Sequence, residues 1–152
     1  MLKQSAGILA YRNPKEIQFL LVHPGGPYFA KKDDGFWSIP KGEFTHDEEA
    51  LTAAIREFRE ETGYLLNGNF LELKPITQKA GKVVYAWALE QDIDETNVSS
   101  NTFEMEWPPR SGKYKSFPEI DKAGWFTEEE SRHKIIPAQA AFIDEVLKLL
   151  NP

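Results

Sequence analysis

Thr45-His-Asp-Glu-Glu-Ala-Leu-Thr-Ala-Ala-Ile-Arg-Glu-Phe-Arg-Glu-Glu-Thr-Gly63 is where the apolar period of this chain changes. Leu51, Ala54, Ile55, Phe58 and Thr62 recur at helical spacing with charged residues on the other face, which predicts a helix from about Asp47 to Glu61. Thr45 with Glu48 three residues on reads as a capping box at its start, and Gly63 as a left-handed stop at its end. Upstream, Ser5–Tyr11 and Ile17–His23 are apolar runs of strand length, and the Gly- and Pro-containing stretch His23–Gly35 reads as a loop. Downstream, Tyr64–Leu73 and Lys82–Glu90 alternate as strands do, with Phe103–Trp107 and Ala123–Phe126 as shorter strands. Gln91–Asn101 reads as a polar surface loop and Pro108–Lys115 as an irregular piece. A second helix is expected from Pro137 to Leu150, with the proline in its first turn. Strands flanking a central helix, with another helix at the end, predict an α/β or α+β sandwich built on a mixed sheet.

The chain has 152 residues, a length that fits one domain spanning 1–152. With no cysteine there is no disulfide framework, cysteine zinc site or thiol nucleophile, a composition that suits a cytoplasmic setting. The N-terminus leads into a short apolar run rather than a signal-peptide core, and no stretch reaches the ~18 apolar residues of a membrane span, so a soluble protein is expected. Eighteen basic against 24 acidic side chains give a formal net charge of -6, which argues against nonspecific duplex binding. Most of that surplus has one address, because Glu43–Glu61 holds seven acids and only two bases.

Three of those acids are placed together by the helix itself. At about 100° per residue, Glu57, Glu60 and Glu61 fall within an arc of roughly 100°, separate from the core-facing side chains. Like charges so close cost helix stability, and a divalent cation reverses that cost. Oxygen-only ligands favour hard ions such as Mg2+ or Mn2+, which complete their shells with water and substrate phosphate. An acidic helix face is, for a generic sequence, simply a solvated surface. The spacing here is not generic.

Gly42, Glu48 and the run Arg56-Glu57-Phe58-Arg59-Glu60-Glu61-Thr62-Gly63-Tyr64 match every fixed position of a known signature. The segment resembles the box of the Nudix hydrolases, and the resemblance covers about a seventh of the chain, Gly42 to Tyr64. It implies an α/β/α sandwich and the metal-dependent hydrolysis of a nucleoside diphosphate linked to a further group, by water attack at phosphorus. By position it makes Glu57, Glu60 and Glu61 metal-binding carboxylates, helped by the Gly42 carbonyl. It makes Arg56 the residue that orients a glutamate, and Glu48 structural.

Phe117-Pro-Glu119-Ile-Asp-Lys-Ala-Gly-Trp125 carries a second resemblance, to the diadenosine polyphosphate hydrolases and RNA pyrophosphohydrolases of that family. It implies that Glu119 is a fourth metal ligand or the general base, whereas the plain reading is an exposed turn glutamate. Trp37-Ser-Ile-Pro-Lys41-Gly42 resembles the entry to the box in the same branch, with Lys41 set to meet phosphate and Trp37 either stacking on a base or, more ordinarily, buried. Arg110, Lys113 and Lys115, with Lys31 and Lys32, are basic residues able to contact polyphosphate. Glu104 and Glu106 read as a solvent-facing strand edge. His23, His46 and His133 lack ligand spacing and are expected in loops or on the surface. The tyrosine that follows the box in some diadenosine polyphosphate hydrolases has no clear counterpart, and Pro75 does not match the proline of the ADP-ribose hydrolases. The sequence therefore favours a dinucleoside polyphosphate, then a nucleoside triphosphate, as substrate. The alternatives are a nucleotide-sensing module without turnover, and an RNA 5'-pyrophosphohydrolase, which the acidic balance disfavours.

Overall fold

In a computed structural model that describes residues 3–151, the chain builds a seven-stranded mixed sheet between helices. Strands β1 (Gln4–Arg12), β2 (Gln18–Pro24), β6 (Val83–Glu90) and β9 (Ile120–Thr127) form its body. The order β4-β6-β1-β2-β9 runs across it, with β4 (Leu71–Glu72) and β5 (Ile76–Thr77) both on β6, and β3 (Lys41–Glu43) on β1. The pair β1–β6 is parallel, and the β1–β2, β1–β3 and β2–β9 pairs are antiparallel. A separate hairpin of β7 (Thr102–Glu106) and β8 (Tyr114–Pro118) stands off the main sheet.

The two faces of β1 explain the layering. Ala6, Ile8 and Ala10 point to one core with Ala53, Ala54 and Phe58 of α1 (Ala50–Thr62). Leu9 and Tyr11 point to the other, with Phe142, Ile143 and Val146 of α3 (Ala140–Leu150). This alternation is the period-2 consequence of a strand buried on both sides. The expected α/β/α sandwich is thus observed. Full burial of Phe58 contributes roughly 1.5–3 kcal/mol and anchors α1 to the sheet.

Several boundaries differ from expectation. Helix α1 begins at Ala50 rather than near Asp47, and Glu49 at its N-cap makes no side-chain capping bond. The capping box does not form because Glu48 is engaged by Arg56 instead. Gly63 does end the helix, in the left-handed conformation at φ 84°, its N–H bonded to the Arg59 carbonyl at 2.7 Å. Tyr64–Leu73 is mostly irregular, since Asn67-Gly68-Asn69 interrupts it with a positive φ at Gly68, leaving only Leu71–Glu72 as strand. Lys115, and Tyr114 before it, lie in β8 rather than in an irregular piece, and the last strand is longer than Ala123–Phe126 at both ends.

A short helix, α2 (Glu128–Lys134), was not expected, although its signal is in the sequence. The Thr127 hydroxyl accepts from the Glu130 N–H at 3.3 Å, and the Glu130 carboxylate accepts from the Thr127 N–H at 2.9 Å. The C-terminal segment opens with a 3₁₀ turn at Pro137–Gln139 before α3. There the Gln139 side-chain carbonyl accepts the Ile39 N–H at 3.0 Å, fixing the backbone just ahead of Lys41 and Gly42. Among the described residues no helix is long and apolar enough to cross a membrane.

Candidate active site

The site is assembled where β3 passes under the last two turns of α1. Ala6 pairs with Gly42 and Gly7 with Lys41, which places β3 beside the middle of the sheet. Gly42 has no side chain, and that is what lets Glu57 approach: a Cβ at position 42 would overlap the Glu57 carboxylate. Glu57 is accordingly only 9% exposed. Sequence periodicity assigned the buried face to Leu51 and Ile55, but these are half-buried, and Glu57 joins Ala53, Ala54 and Phe58 on the covered side. One turn on, Glu61 Oε1 accepts the Lys41 backbone N–H at 3.2 Å.

Arg56 organises the outer carboxylates. Its Nε and Nη2 donate to the two oxygens of Glu48 at 2.9 and 2.8 Å, while Nη1 donates to Glu57 at 2.8 Å and to Glu60 at 3.2 Å. This fork geometry is specific to a guanidinium. Glu48 holds its carboxyl below the usual range through its hydrogen bonds to Arg56, and Arg56 is held more firmly protonated in turn. Arg56 thus bridges Glu48, which precedes the helix, to Glu57 and Glu60 within it.

Glu119 reaches the same place by a different route. It stands between β8 and β9, and a run of backbone bonds ties it to the helix. Asn101 N–H donates to the Glu60 carbonyl at 2.8 Å, Glu119 N–H to the Asn101 carbonyl at 2.9 Å, and Gly25 N–H to the Glu119 carbonyl at 2.8 Å. Glu119 lines a cavity of about 270 Å³ together with Lys41, Glu61, Phe29 and Phe36.

The electrostatics record the crowding. Burial pushes the Glu61 carboxyl up to about 8, against the opposing pull of Lys41, with Glu57 and Glu119 adding repulsion. Glu57 is raised by burial, opposed by Arg56, and Glu119 is raised by burial and by Glu60. The Lys41 ammonium is lowered by burial and by Lys82. Four carboxylates thus repel one another across a partly desolvated space that Arg56 and Lys41 do not neutralise. An all-oxygen donor set of this kind fits a hard divalent cation. Among the described residues no three acidic or histidine side chains are gathered tightly enough to chelate an ion as they stand. Glu57 and Glu60 are turned onto Arg56, and Glu61 onto the Lys41 N–H.

A family model described as NUDIX domain matches residues 1–146. The chain belongs to the Nudix family. A curated relative, Nudix hydrolase 5 of Arabidopsis thaliana, is 29% identical over 125 residues, covering 82% of this chain and 36% of that protein. The chain therefore spans about a third of the length of that relative. Among solved structures, a C. elegans Ap4A hydrolase binary complex superimposes with a TM-score of 0.68 at 22% identity, covering 96% of this chain and 97% of the other. The NUDIX domain of Shewanella oneidensis NrtR in complex with ADP ribose gives 0.66 at 12% identity, covering 99% and 90%. At such identities these likenesses establish the Nudix fold.

The remaining expected residues of this Nudix chain are less concentrated. Trp37 is buried, with its Nε1 donating to Asp33 at 2.8 Å and its ring edge-on to Phe126, so it is core and not a free stacking surface. Arg110 and Lys113 sit at the exposed turn of the β7–β8 hairpin, where Glu106 accepts the Arg110 and Gly112 N–H groups at 2.9 and 3.1 Å. Neither lines the cavity of Lys41, Glu61 and Glu119. Glu106 thus has a turn-closing role, and Glu104 is exposed on β7. Lys32 lies over the Phe36 ring, 5.7 Å from its centroid.

His23 is a correction, being fully buried at the end of β2 rather than on the surface. Its Nε2 donates to the Lys32 carbonyl at 2.6 Å and its Nδ1 meets Asp121 at 2.8 Å. Residues that the sequence did not single out are Gln78, Lys79 and Lys82, which line a second groove of about 490 Å³ shared with Lys41. Their signal was the pair of lysines flanking a glycine turn just before β6. Phe29 and Phe36, also unforeseen, are exposed aromatics in a polar loop, a signal visible as Phe29 and Phe36 bracketing Lys31-Lys-Asp-Asp-Gly35.

Proposed function

We propose that this chain, taken as one Nudix hydrolase domain over residues 1–152, hydrolyses the phosphoanhydride of a nucleoside diphosphate linked to another group. Water attacks phosphorus, and Mg2+ or Mn2+ is required. Family membership and a relative described as a hydrolase support the pyrophosphohydrolase class. The observation that carries the reading is that Gly42 lets the Glu57 carboxylate approach β3, while Arg56 gathers Glu57 and Glu60 and one cavity is lined by Lys41, Glu61 and Glu119.

In this reading Glu57, Glu60 and Glu61, with the Gly42 carbonyl and Glu119, hold the cation. A cation held there would neutralise the diphosphate, polarise a phosphoryl oxygen and lower the pKa of bound water. Arg56 keeps Glu57 and Glu60 oriented while its charge is balanced by Glu48. Lys41 places a positive charge beside the substrate phosphates. A carboxylate of this site takes the proton from the attacking water. Arg110 and Lys113 contact the distal part of the substrate. The cysteine-free composition supports a cytoplasmic setting.

Dinucleoside polyphosphates are the favoured substrates, followed by nucleoside triphosphates. The likeness to an Ap4A hydrolase complex is consistent with that order, and the ADP-ribose complex of NrtR marks sugar diphosphates as the comparison class. The test is product analysis after incubating the protein with a nucleotide panel and Mg2+. Metal-dependent cleavage that drops by at least about 100-fold in Glu60→Gln and Glu61→Gln variants of intact fold is expected. Unchanged turnover in both variants would remove the assignment.

A further inference from the structure

Glu119 owes its place to an irregularity in the sheet. Strands β2 and β9 pair in register from Gln18 and Thr127 to His23 and Lys122, but the next pair is Pro24 with Ile120, which leaves Asp121 as an extra residue on β9. The ladder breaks there because Pro24 has no N–H to donate. The Ser100 hydroxyl serves Ile120 instead, accepting its N–H at 3.1 Å and donating to its carbonyl at 3.2 Å. A bulge of this kind turns two consecutive side chains to one side of the strand. Asp121 meets His23 Nδ1 at 2.8 Å, and the Lys122 ammonium lies 5.6 Å from the centre of the Trp37 ring, which itself packs against His23. The extra residue reverses the alternation beyond it, and Glu119 lines the cavity of Lys41 and Glu61.

The bulge is fastened to a buried ring. His23 is fully buried with both nitrogens facing oxygens, the Asp121 carboxylate on one side and the Lys32 carbonyl at 2.6 Å on the other. A polar ring withdrawn from water is costly unless its hydrogen bonds are made, so an apolar side chain would be the ordinary occupant at the end of β2. His23 does not line the cavity, and hydrolysis alone gives it no role. Its partner does, since Asp121 stands two residues from Glu119. The turn between them is drawn tight: the Gly25 N–H donates to the Glu119 carbonyl at 2.8 Å, and a Cβ at position 25 would collide with the Pro118 carbonyl oxygen.

From this we infer that Asp121 and His23 are positioning residues: the buried imidazole holds the bulge, and the bulge aims Glu119 into the cavity. The inference rests on the phosphohydrolase reading above for the use made of Glu119, and it names what sets that carboxylate's direction. A displacement of about 1 Å can cost as much as about 100-fold in rate. The Asp121 side chain is 32% exposed, so its removal opens no hole in the core and the fold is retained.

The experiment combines amide hydrogen exchange of the metal-free protein, followed by NMR, with nucleotide turnover in Mg2+. In Asp121→Ala the Gly25 and Glu119 amides should exchange at least about ten-fold faster while those of β1 keep their rates. In the same variant kcat should fall about ten-fold with KM unchanged. Asp121→Asn, whose amide can give or take a hydrogen bond at Nδ1, should restore both. His23→Gln, which keeps a donor for the Lys32 carbonyl and offers nothing to Asp121, should resemble Asp121→Ala, and the double variant should be no worse than either. In a Glu119→Gln background, Asp121→Ala should leave kcat where it was. Unchanged exchange at Gly25 and Glu119, equal acceleration of every amide, an unchanged kcat, or the same loss of kcat in the Glu119→Gln background overturns the inference and leaves the phosphohydrolase reading intact. If the unsubstituted protein cleaves no nucleotide, the phosphohydrolase reading falls. The exchange rates then decide the tie by themselves, local acceleration sustaining it and unchanged rates overturning it.

Discussion

Arg56, in the second turn of α1, grips Glu48, which precedes the helix, through two hydrogen bonds of 2.9 and 2.8 Å across eight residues of chain. The pair converts an acidic residue that the sequence offers as a helix cap into the counter-charge for the guanidinium. Only Nη1 is then left to hold Glu57 and Glu60. Both partners are about a third exposed, which limits what the pair contributes to stability.

Replacing Arg56 with Lys should therefore affect catalysis more than folding. A lysine keeps the charge but cannot reach Glu48, Glu57 and Glu60 at once. We expect kcat to fall about 10–100-fold while the melting temperature drops by only a few degrees. Turnover and thermal unfolding measured side by side check this, and full activity in Arg56→Lys would show that the fork has no orienting role.

Gly42→Ala should be more damaging than its size suggests. The added methyl meets the Glu57 carboxylate, which is itself buried and cannot swing into solvent without losing Arg56. The expected result is a folded protein whose Mn2+ affinity, followed by paramagnetic relaxation of water, is weakened at least about ten-fold. Tight Mn2+ binding in the variant would contradict the role given to the Gly42–Glu57 contact.

Metal-free stability should decrease as pH rises. Burial raises the Glu61 carboxyl from 4.5 to about 8, so between those values the folded chain holds a proton that the unfolded chain has released. The stability contributed by the neutral carboxyl is complete below about 4.5 and is lost as pH passes through about 8. Thermal melts from about pH 5 to about pH 9 should show a loss on the order of 2–4 kcal/mol, which Glu61→Gln removes. Saturating Mg2+ should flatten the same curve by binding the ionised form. A pH-independent melt for the metal-free protein would contradict the burial assigned to Glu61.

Glu119→Gln separates a reacting carboxylate from a turn residue. The backbone bonds from Asn101 to Glu119 and from Gly25 to Glu119 do not involve its side chain, so the fold should be retained. We expect kcat to fall by about 100-fold with little change in melting temperature. Activity within about two-fold of the original would return Glu119 to the status of an exposed turn glutamate.

The chemistry of the box was legible in one dimension because an α-helix fixes its own geometry. Glu57, Glu60 and Glu61 share a face through local hydrogen bonding alone, and Gly63 ends the helix through its own φ. The continuous apolar runs likewise specified β1 and β2, and alternation specified β6. What periodicity missed depended on partners distant in sequence. Glu57 replaced Leu51 and Ile55 on the covered face because β3 delivers Gly42 there, and Glu48 left its capping position because Arg56 lies within reach.

Sequence alone thus determined the family, the acidic helix and the class of metal such oxygens prefer. Only the tertiary structure brought Glu119 to α1 through Asn101, buried His23 between Lys32 and Asp121, and set Phe29 and Phe36 beside Lys41. Those contacts range from nearly adjacent loop positions, as for His23 and Lys32, to segments as far apart as His23 and Asp121. The spacing of residues along a chain carries information about neighbours one helical turn away, and none about which loop the sheet will fold against them.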